Sequence, residues 1–465
     1  FSKLNKLYYI DNMDISSRER ILNSKLENSN GQYIAIWLKR DFRFEDNWIF
    51  SRAIEYSKYY SVPIKVFFYL PDKLYVKNNP SKYCILYPSK RHLEFLFRSL
   101  KYLENKLNTH GIPFEFRTSN TPYDALKTDF NNSFFVLTDF KPTRPSIECD
   151  KNVSSKINVK IIQIDAHNIV PVWIASPNAE YMARTIRTKL WKKSDEFLVD
   201  YPKYTTFKQT KIKSKNPLPS LTSLNYIDDT FITNTKEGYD SGMKRFKNYL
   251  KSNIKNYDKR NDPTIENAQS NMSIYINYGT VSVQKMVYTL KKISTTNSKT
   301  RENIDDYIEE VWIRRELAEN YCYYRDYESV NSAWDWALKL MSKESNNNQL
   351  YSLKDMENAN TEDTAWNAAQ YQMISTGKMH GYMRMYWAKK IAEWSKNRQL
   401  ALNIANYLND KYEMDGSDSG GYTGTAWSII GVHDRNFYGK FRPMTLAGLK
   451  SKKIDINKYI ESNKL

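Results

Sequence analysis

The chain has 465 residues, a mass of 55.0 kDa and a formal charge of +18 at pH 7, with 11 Trp, 36 Tyr and 20 Phe. That length supports two or three domains with proper cores, and so aromatic a composition excludes a disordered protein. The charge favours a polyanionic partner, because Lys and Arg near phosphates release counterions; a chain rich in Lys, Asn, Ile and Tyr throughout, as AT-rich coding produces, discounts part of that excess.

Cys84, Cys149 and Cys322 are odd in number and scattered, which argues against a disulfide framework and fits a reducing, intracellular compartment. Five His without a CxxC or HExxH give no metal site. No run reaches the ~18 apolar residues of a membrane span. The N-terminus, FSKLNKLYYI, lacks signal-peptide architecture, and the missing initiator Met suggests a processed or trimmed chain.

Residues 1–30 are polar and read as an unassigned leader, with RERILNSKLENSN a helical candidate. Tyr33–Leu38, Ile64–Leu70, Pro113–Phe116, Phe134–Leu137 and Val159–Ile164 are short apolar runs of strand character. They alternate with helical patterns, the clearest over Lys90–His110, which predicts a parallel sheet covered on both faces across 31–173. Neither GxGxxG nor GxxxxGK follows the first strand, so an ordinary dinucleotide or P-loop site is not supported. Residues 174–230 read as an interdomain connector, exposed over Lys203–Ser223, and helical periods dominate from 231 to 465.

Within that helical half, Gly242–Leu250 opens an amphipathic helix and Tyr257–Pro263 breaks it. Ser270 and Ser273 then flank a helix start, which is either a plain capped helix or a place where hydroxyls and free N–H groups suit a phosphate. In Asp305–Tyr324, Glu310 and Arg314 are four apart and could form a surface ion pair. From Lys378 to Asn397 the chain reads as one helix, with Met379, Met383, Trp387, Ile391 and Trp394 as a buried stripe and Lys389, Lys390 and Glu393 opposite. Arg384 sits inside the stripe, about 20° around from Ile391, and a buried guanidinium needs an anion or several acceptors. Either it makes a structural ion pair, or the face lines a cavity holding an electron-rich cofactor. Trp366, Trp387 and Trp394 are either core or an electron relay. Gly416, Gly420, Gly421 and Gly424 mark a flexible loop or close backbone approach to a ring system.

The runs WNAAQ, GKMHGYMRMYWAKKIAEW, LNDKYEMDG and GYTGTAWSIIGVHDR resemble class II cyclobutane-pyrimidine-dimer photolyases, flavin enzymes that use light to split ultraviolet lesions in DNA. The resemblance extends to LKRDFRFEDNW, LTDF, IDAHNIVPVW and the Glu180–Arg187 segment. It implies an N-terminal Rossmann-like α/β domain, able in some members to hold an antenna chromophore, and an all-α C-terminal domain binding FAD, active as the reduced anion. By the same resemblance Tyr257, Ser270, Asn271, Met272, Ser273 and Arg315 contact the cofactor, with Asp410, Asp415 and Gly416 lining its site. Arg384 would stabilise the flavin anion and Asn409 would face its N5. Glu310 would hydrogen-bond the flipped pyrimidines and Trp427 would stack on them, while Trp366, Trp387 and Trp394 relay electrons. The run His433–Met444 is shorter than the family's, leaving Lys440 and Arg442 to meet phosphates.

The implied partner is double-stranded DNA containing dimers, and the protein a monomer acting wherever that DNA is, in nucleus or cytoplasm. The rivals are a flavin photoreceptor on the same scaffold and a cofactor-free nucleic-acid-binding protein.

Overall fold

The computed structural model describes residues 9–10, 13–71, 90–204, 206–223, 233–344, 348–435, 440–451 and 454–464. Cys84, part of the connector and part of the His433–Met444 run lie outside them. After a small hairpin of β1 (Tyr9–Ile10) and β2 (Met13–Asp14), the N-terminal half is organised on six strands. These are β3 (Glu19–Ile21), β4 (Ile34–Leu38), β5 (Ile64–Pro71), β6 (Phe114–Ser119), β7 (Phe135–Asp139) and β8 (Ile161–Ile164), in spatial order β3-β8-β7-β4-β5-β6.

Strands β4 to β8 pair in parallel, and β4 and β7 are buried at every position because helices cover both faces. The five expected strands are therefore present, each within a few residues of its predicted bounds. The exception is β3, which pairs antiparallel with β8 through Glu19–Ile164 and Ile21–Ile162. It lies in the stretch read as an unassigned leader, so that reading is corrected: the second half of 1–30 completes the sheet. Arg18 beside it is buried, donating to the Asn168 and Ile169 carbonyls at 3.0 and 2.7 Å and to Gln284 Oε1 at 3.1 Å.

The 174–230 segment is not wholly a connector, since it carries helices Ala183–Lys192 and Ser194–Phe197. Beyond it the described residues contain helices and no further strand. No helix among the described residues is long and apolar enough to cross a membrane.

The helix read over Lys378–Asn397 runs Gly381–Trp394, entered through His380, and its five stripe residues are all buried. Lys389, expected on the solvated face, is buried as well. The next helix, Arg398–Tyr412, is capped by Asn397, whose side chain accepts from Leu400 N at 2.9 Å. Asp418 caps Ser419–Ile430 in the same way through Gly420 N at 3.1 Å. Residues 298–324 form one rod whose middle, Glu309–Arg314, is a π turn, a widening of the helix often found at functional sites.

The two halves are joined by buried charge. Arg40, just after β4, makes a two-pronged pair with Glu319 at 2.8 and 2.7 Å and reaches Asp418 at 3.0 Å. Arg43 bridges Asp41 and the Gly279 carbonyl at 2.6 and 2.8 Å.

Candidate active site

The helical half brings together most of the residues singled out in the sequence, in two adjoining groups. In the first, the Arg384 guanidinium meets Glu413 at 2.8 Å and Asp415 at 3.0 Å. The ion pair expected on general grounds is therefore real, and its partners come from the turn after the next helix. Glu413 also accepts from Met379 N at 2.8 Å, which ties that turn to the start of the Arg384 helix. Burial pushes the Glu413 carboxyl up to about 8 against the pull of Arg384. Desolvation opposes ionisation of Asp415 too, but Arg384, Ser273 and Lys378 around it hold it below the usual carboxylate range.

Two carboxylates therefore hold the one guanidinium of Arg384, and the other cation of the group is Lys378. Desolvation, with Arg384 nearby, lowers Lys378 to about 8, and its ammonium donates to Asn271 Oδ1. The sequence reading missed Lys378, which precedes the helix and does not fall in its stripe. Asn271, at φ +55°, turns the chain into the short helix Ser273–Asn277, which lacks a side-chain cap bond. Asn271, Ser273, Ile274, Lys378, His380 and Asp415 line a cavity of about 340 Å³. Met272 is buried in the apolar core.

The second group surrounds the π turn. Tyr257 is buried against Tyr307, with ring centroids 5.1 Å apart, and Ser270 lies beside the Tyr307 hydroxyl while its carbonyl accepts from Arg245 at 3.1 Å. Glu310 is exposed, yet desolvation by the protein around it raises its pKa, with Arg314 and Arg260 pulling the other way. The anticipated Glu310–Arg314 bridge is replaced by Arg314–Glu309 at 3.4 Å. Arg315 points its donors to the Val311 and His167 carbonyls, both at 3.3 Å, so it docks against the α/β half and not among the Asp415 group.

Asn409 is buried, and its amide lies 2.8 Å from where a Cβ at Gly421 would stand. Asp410 has both oxygens engaged, by Ser417 N at 2.7 Å and the Tyr422 hydroxyl at 2.8 Å, so it shapes the loop and does not line the cavity with a free carboxylate. Burial pushes it up to about 6. Gly416 is required by its own chain, since a Cβ would come within 2.9 Å of Asn409 O and 3.0 Å of Asp410 Cα. Gly424, by contrast, opens onto free space.

The three tryptophans touch in the order Trp387, Trp366, Trp394. Trp366 and Trp387 stack at 6.3 Å with an interplanar angle of 8°, and Trp366 meets Trp394 edge-on at 5.3 Å. The Trp366 indole donates to the Trp387 carbonyl at 3.0 Å and Trp387 to Gln370 at 2.9 Å, which locks both rings. Trp387 follows Arg384 by one turn, and Trp394 meets the half-buried Tyr351. Trp427 is half-buried with the Lys389 ammonium 4.9 Å from its ring centre, and Lys440 and Arg442 are exposed.

An α/β half with a parallel sheet, joined to a helical half holding this cavity and triad, defines a protein of the photolyase and cryptochrome fold class. A cryptochrome from Synechocystis superposes with TM-score 0.73 at 13% identity over 93% of this chain and 88% of that one. A class III photolyase from Agrobacterium tumefaciens does so with TM-score 0.70 at 15% identity over 93% and 86%. Residues 34–207 match the DNA photolyase family model. The deoxyribodipyrimidine photo-lyase of Arabidopsis thaliana is 36% identical over 92% of this chain and 88% of its own length. That of Methanothermobacter thermautotrophicus is 31% identical over 96% and 98%. The chain therefore belongs to the DNA photolyase family, among its deoxyribodipyrimidine photo-lyases.

Proposed function

We propose that this chain repairs cyclobutane pyrimidine dimers in duplex DNA as a light-dependent lyase of class II, with FAD, in its reduced anionic form, in the helical half. The observation that carries this reading is the buried Trp387–Trp366–Trp394 stack, which runs from beside Arg384 to a half-buried Tyr351. The residues around it fit the cofactor: the cavity has hydroxyls, a backbone turn and the Lys378 ammonium for a diphosphate, while Arg384 stands ready to balance a ring anion. Bound FAD would supply light absorption and a transferable electron.

Everything else falls to the chain. Asn271, Ser273 and Lys378 would hold the phosphates, with Ser270 and Tyr257 as further candidate contacts beside them. Arg384, fixed by Glu413 and Asp415, cannot swing away, and Asn409, pressed on by Gly421, presents an amide able to donate or accept. Glu310, whose pKa desolvation raises, is the carboxyl assigned to hydrogen-bond the pyrimidines. A dimer, already poorly paired, costs less to extrude than intact bases. Trp387, Trp366 and Trp394 offer an electron path inward from the surface. The protein works as a monomer inside the cell, where its substrate is.

The test is blue-light illumination of dimer-containing DNA with the reduced protein and with Glu310→Ala. Dimer loss that is light-dependent and slowed in the variant supports the assignment; equal rates in both remove Glu310 from it.

A further inference from the structure

Helix Arg398–Tyr412, which carries Asn409 and Asp410, ends at the turn that carries Glu413 and Asp415. The last carbonyls of a helix have no partner within it and form the negative end of its dipole, so each needs a donor from elsewhere. Here the donors come from the α/β half. Arg91, in the first turn of helix Lys90–Thr109, donates to the Tyr412 carbonyl at 2.9 Å, and Nε2 of the His92 ring lies 2.8 Å from the Glu413 carbonyl. A carbonyl oxygen only accepts, so that nitrogen carries the proton. Both side chains are buried.

The same guanidinium reaches further. It also faces the Met373 carbonyl at 3.5 Å, in the last turn of helix Thr364–Thr376, which carries Trp366. One cation thus stands at the C-terminal ends of two helices of the candidate site, where positive charge is favoured. Those ends are tied to each other by Met414 N and the Gly377 carbonyl at 2.8 Å, and Gly377, Met414 and Asp415 line the cavity. The Met414 side chain lies in the same apolar core as Leu93 and Leu96 of helix Lys90–Thr109. The His92 carbonyl in turn accepts from the Tyr278 hydroxyl at 3.3 Å, next to the Gly279 carbonyl that Arg43 holds.

We propose that Arg91 and His92 are positioning residues for the charge that faces the cofactor: by fixing the backbone at 412–413 they hold Glu413 and Asp415, and through them the Arg384 guanidinium, in place beside the cavity. The inference rests on the reading that a flavin occupies the helical half. Glu413 is gripped at both ends, its carbonyl by His92 and its carboxylate by Met379 N and Arg384. Release of the carbonyl frees the turn, and Arg384 moves with its two carboxylates, since its other acceptor is the Met379 carbonyl at 3.2 Å. A displaced guanidinium weakens binding of an anionic ring more than of a neutral one, so the effect falls on the difference between reduced and oxidised flavin.

The test is made on the full chain loaded with FAD, as His92→Leu, which fills the space without a donor, His92→Gln, whose amide replaces the Nε2 donor, and Arg91→Met, which keeps the stem. Redox titration followed by flavin absorbance gives the midpoint potential. His92→Leu and Arg91→Met should weaken the reduced form about tenfold more than the oxidised one, which lowers the two-electron potential by about 30 mV, and His92→Gln should restore most of it. General loosening of the fold weakens both forms alike and leaves the potential where it was. Amide hydrogen exchange in the flavin-free chain gives the second readout: it should quicken at 413–417 in His92→Leu while β4 and β7 keep their native protection. A potential unmoved in both His92→Leu and Arg91→Met overturns the proposal. So does a His92→Gln chain no better than His92→Leu, or exchange that quickens equally throughout. A native chain that binds FAD and repairs no dimers would sink the lyase reading alone, because the potential is read without DNA.

Discussion

Replacing Arg40 by Ala tests how the α/β half supports the cofactor side. Arg40 and Glu319 are 2% and 1% exposed, and the two-pronged bridge between them is the main partner of each. Without the guanidinium, Glu319 keeps only a 3.5 Å contact from the Asn168 amide, so a carboxylate is left buried and almost unpaired. Removing one partner of such a pair costs about 3–5 kcal/mol. At roughly 2–4 °C per kcal/mol for domains of 150–250 residues, the unfolding midpoint should fall by about 6–20 °C.

Arg40 also holds Asp418, the cap of Ser419–Ile430, and that helix sets Gly421 against Asn409, so FAD retention should weaken along with stability. Thermal and urea unfolding read the first effect, and equilibrium dialysis against FAD the second. The double variant Arg40→Met with Glu319→Leu should recover most of the stability, because well-packed apolar residues often replace a buried pair at little cost. A single-variant loss under about 1 kcal/mol, or a double variant no better than the single, refutes the reasoning.

Trp366→Phe removes the middle ring and the indole donor to Trp387 O, costing about 1–2 kcal/mol of stability and slowing flavin photoreduction sharply; photoreduction at the native rate would dismiss the stack as a path. Glu310→Ala should cost about 1–3 kcal/mol in affinity for dimer-containing over undamaged DNA, measured by competition binding, with Glu310→Gln retaining part of it through its amide donor. Asp410 is raised to about 6 in the folded chain from an unfolded value near 3.9, so the native state holds the extra proton. Its contribution is full below about pH 4 and declines by roughly 3 kcal/mol as pH rises through 6. His380 and His433, both lowered to about 4 by burial, act oppositely in that window, so the readout is the difference between native chain and Asp410→Asn, whose curve should lack the decline.

What could be read from the residues followed from periodicity. The runs at Ile34, Ile64, Phe114, Phe135 and Ile161 are apolar on both faces, which only a covered parallel sheet explains, and the Met379–Trp394 stripe gave its helix and the burial of all five members. β3 escaped because an edge strand reading Glu-Arg-Ile is mostly polar, and Arg20 stacks over Trp173 and Phe140 in place of an apolar side chain. The angular position of Lys389 points to the solvated face; what covers it is the helix Ser419–Ile430, through the Trp427 ring and the Ser428 carbonyl, which no local pattern announces. The partners of Arg384 come from a turn 29 and 31 residues away, and no local pattern names them. The π turn at Glu309 adds a residue to one helical turn and shifts Glu310 relative to Arg314, which is why their expected pairing went to Glu309. Even the cofactor residues were legible only through the family's motifs; their bare spacing suggested nothing beyond a helix start.

The claim that the helical half presents an excitable, reduced flavin to an extruded dimer is met most directly by a flash experiment. Chain carrying reduced FAD is mixed with an excess of a single-dimer oligonucleotide, and intact thymines are counted after each short blue pulse. Restored thymines that increase pulse by pulse, with none in the dark or with oxidised flavin, are the expected result. Pulses that excite the bound flavin and leave every dimer closed would contradict the account.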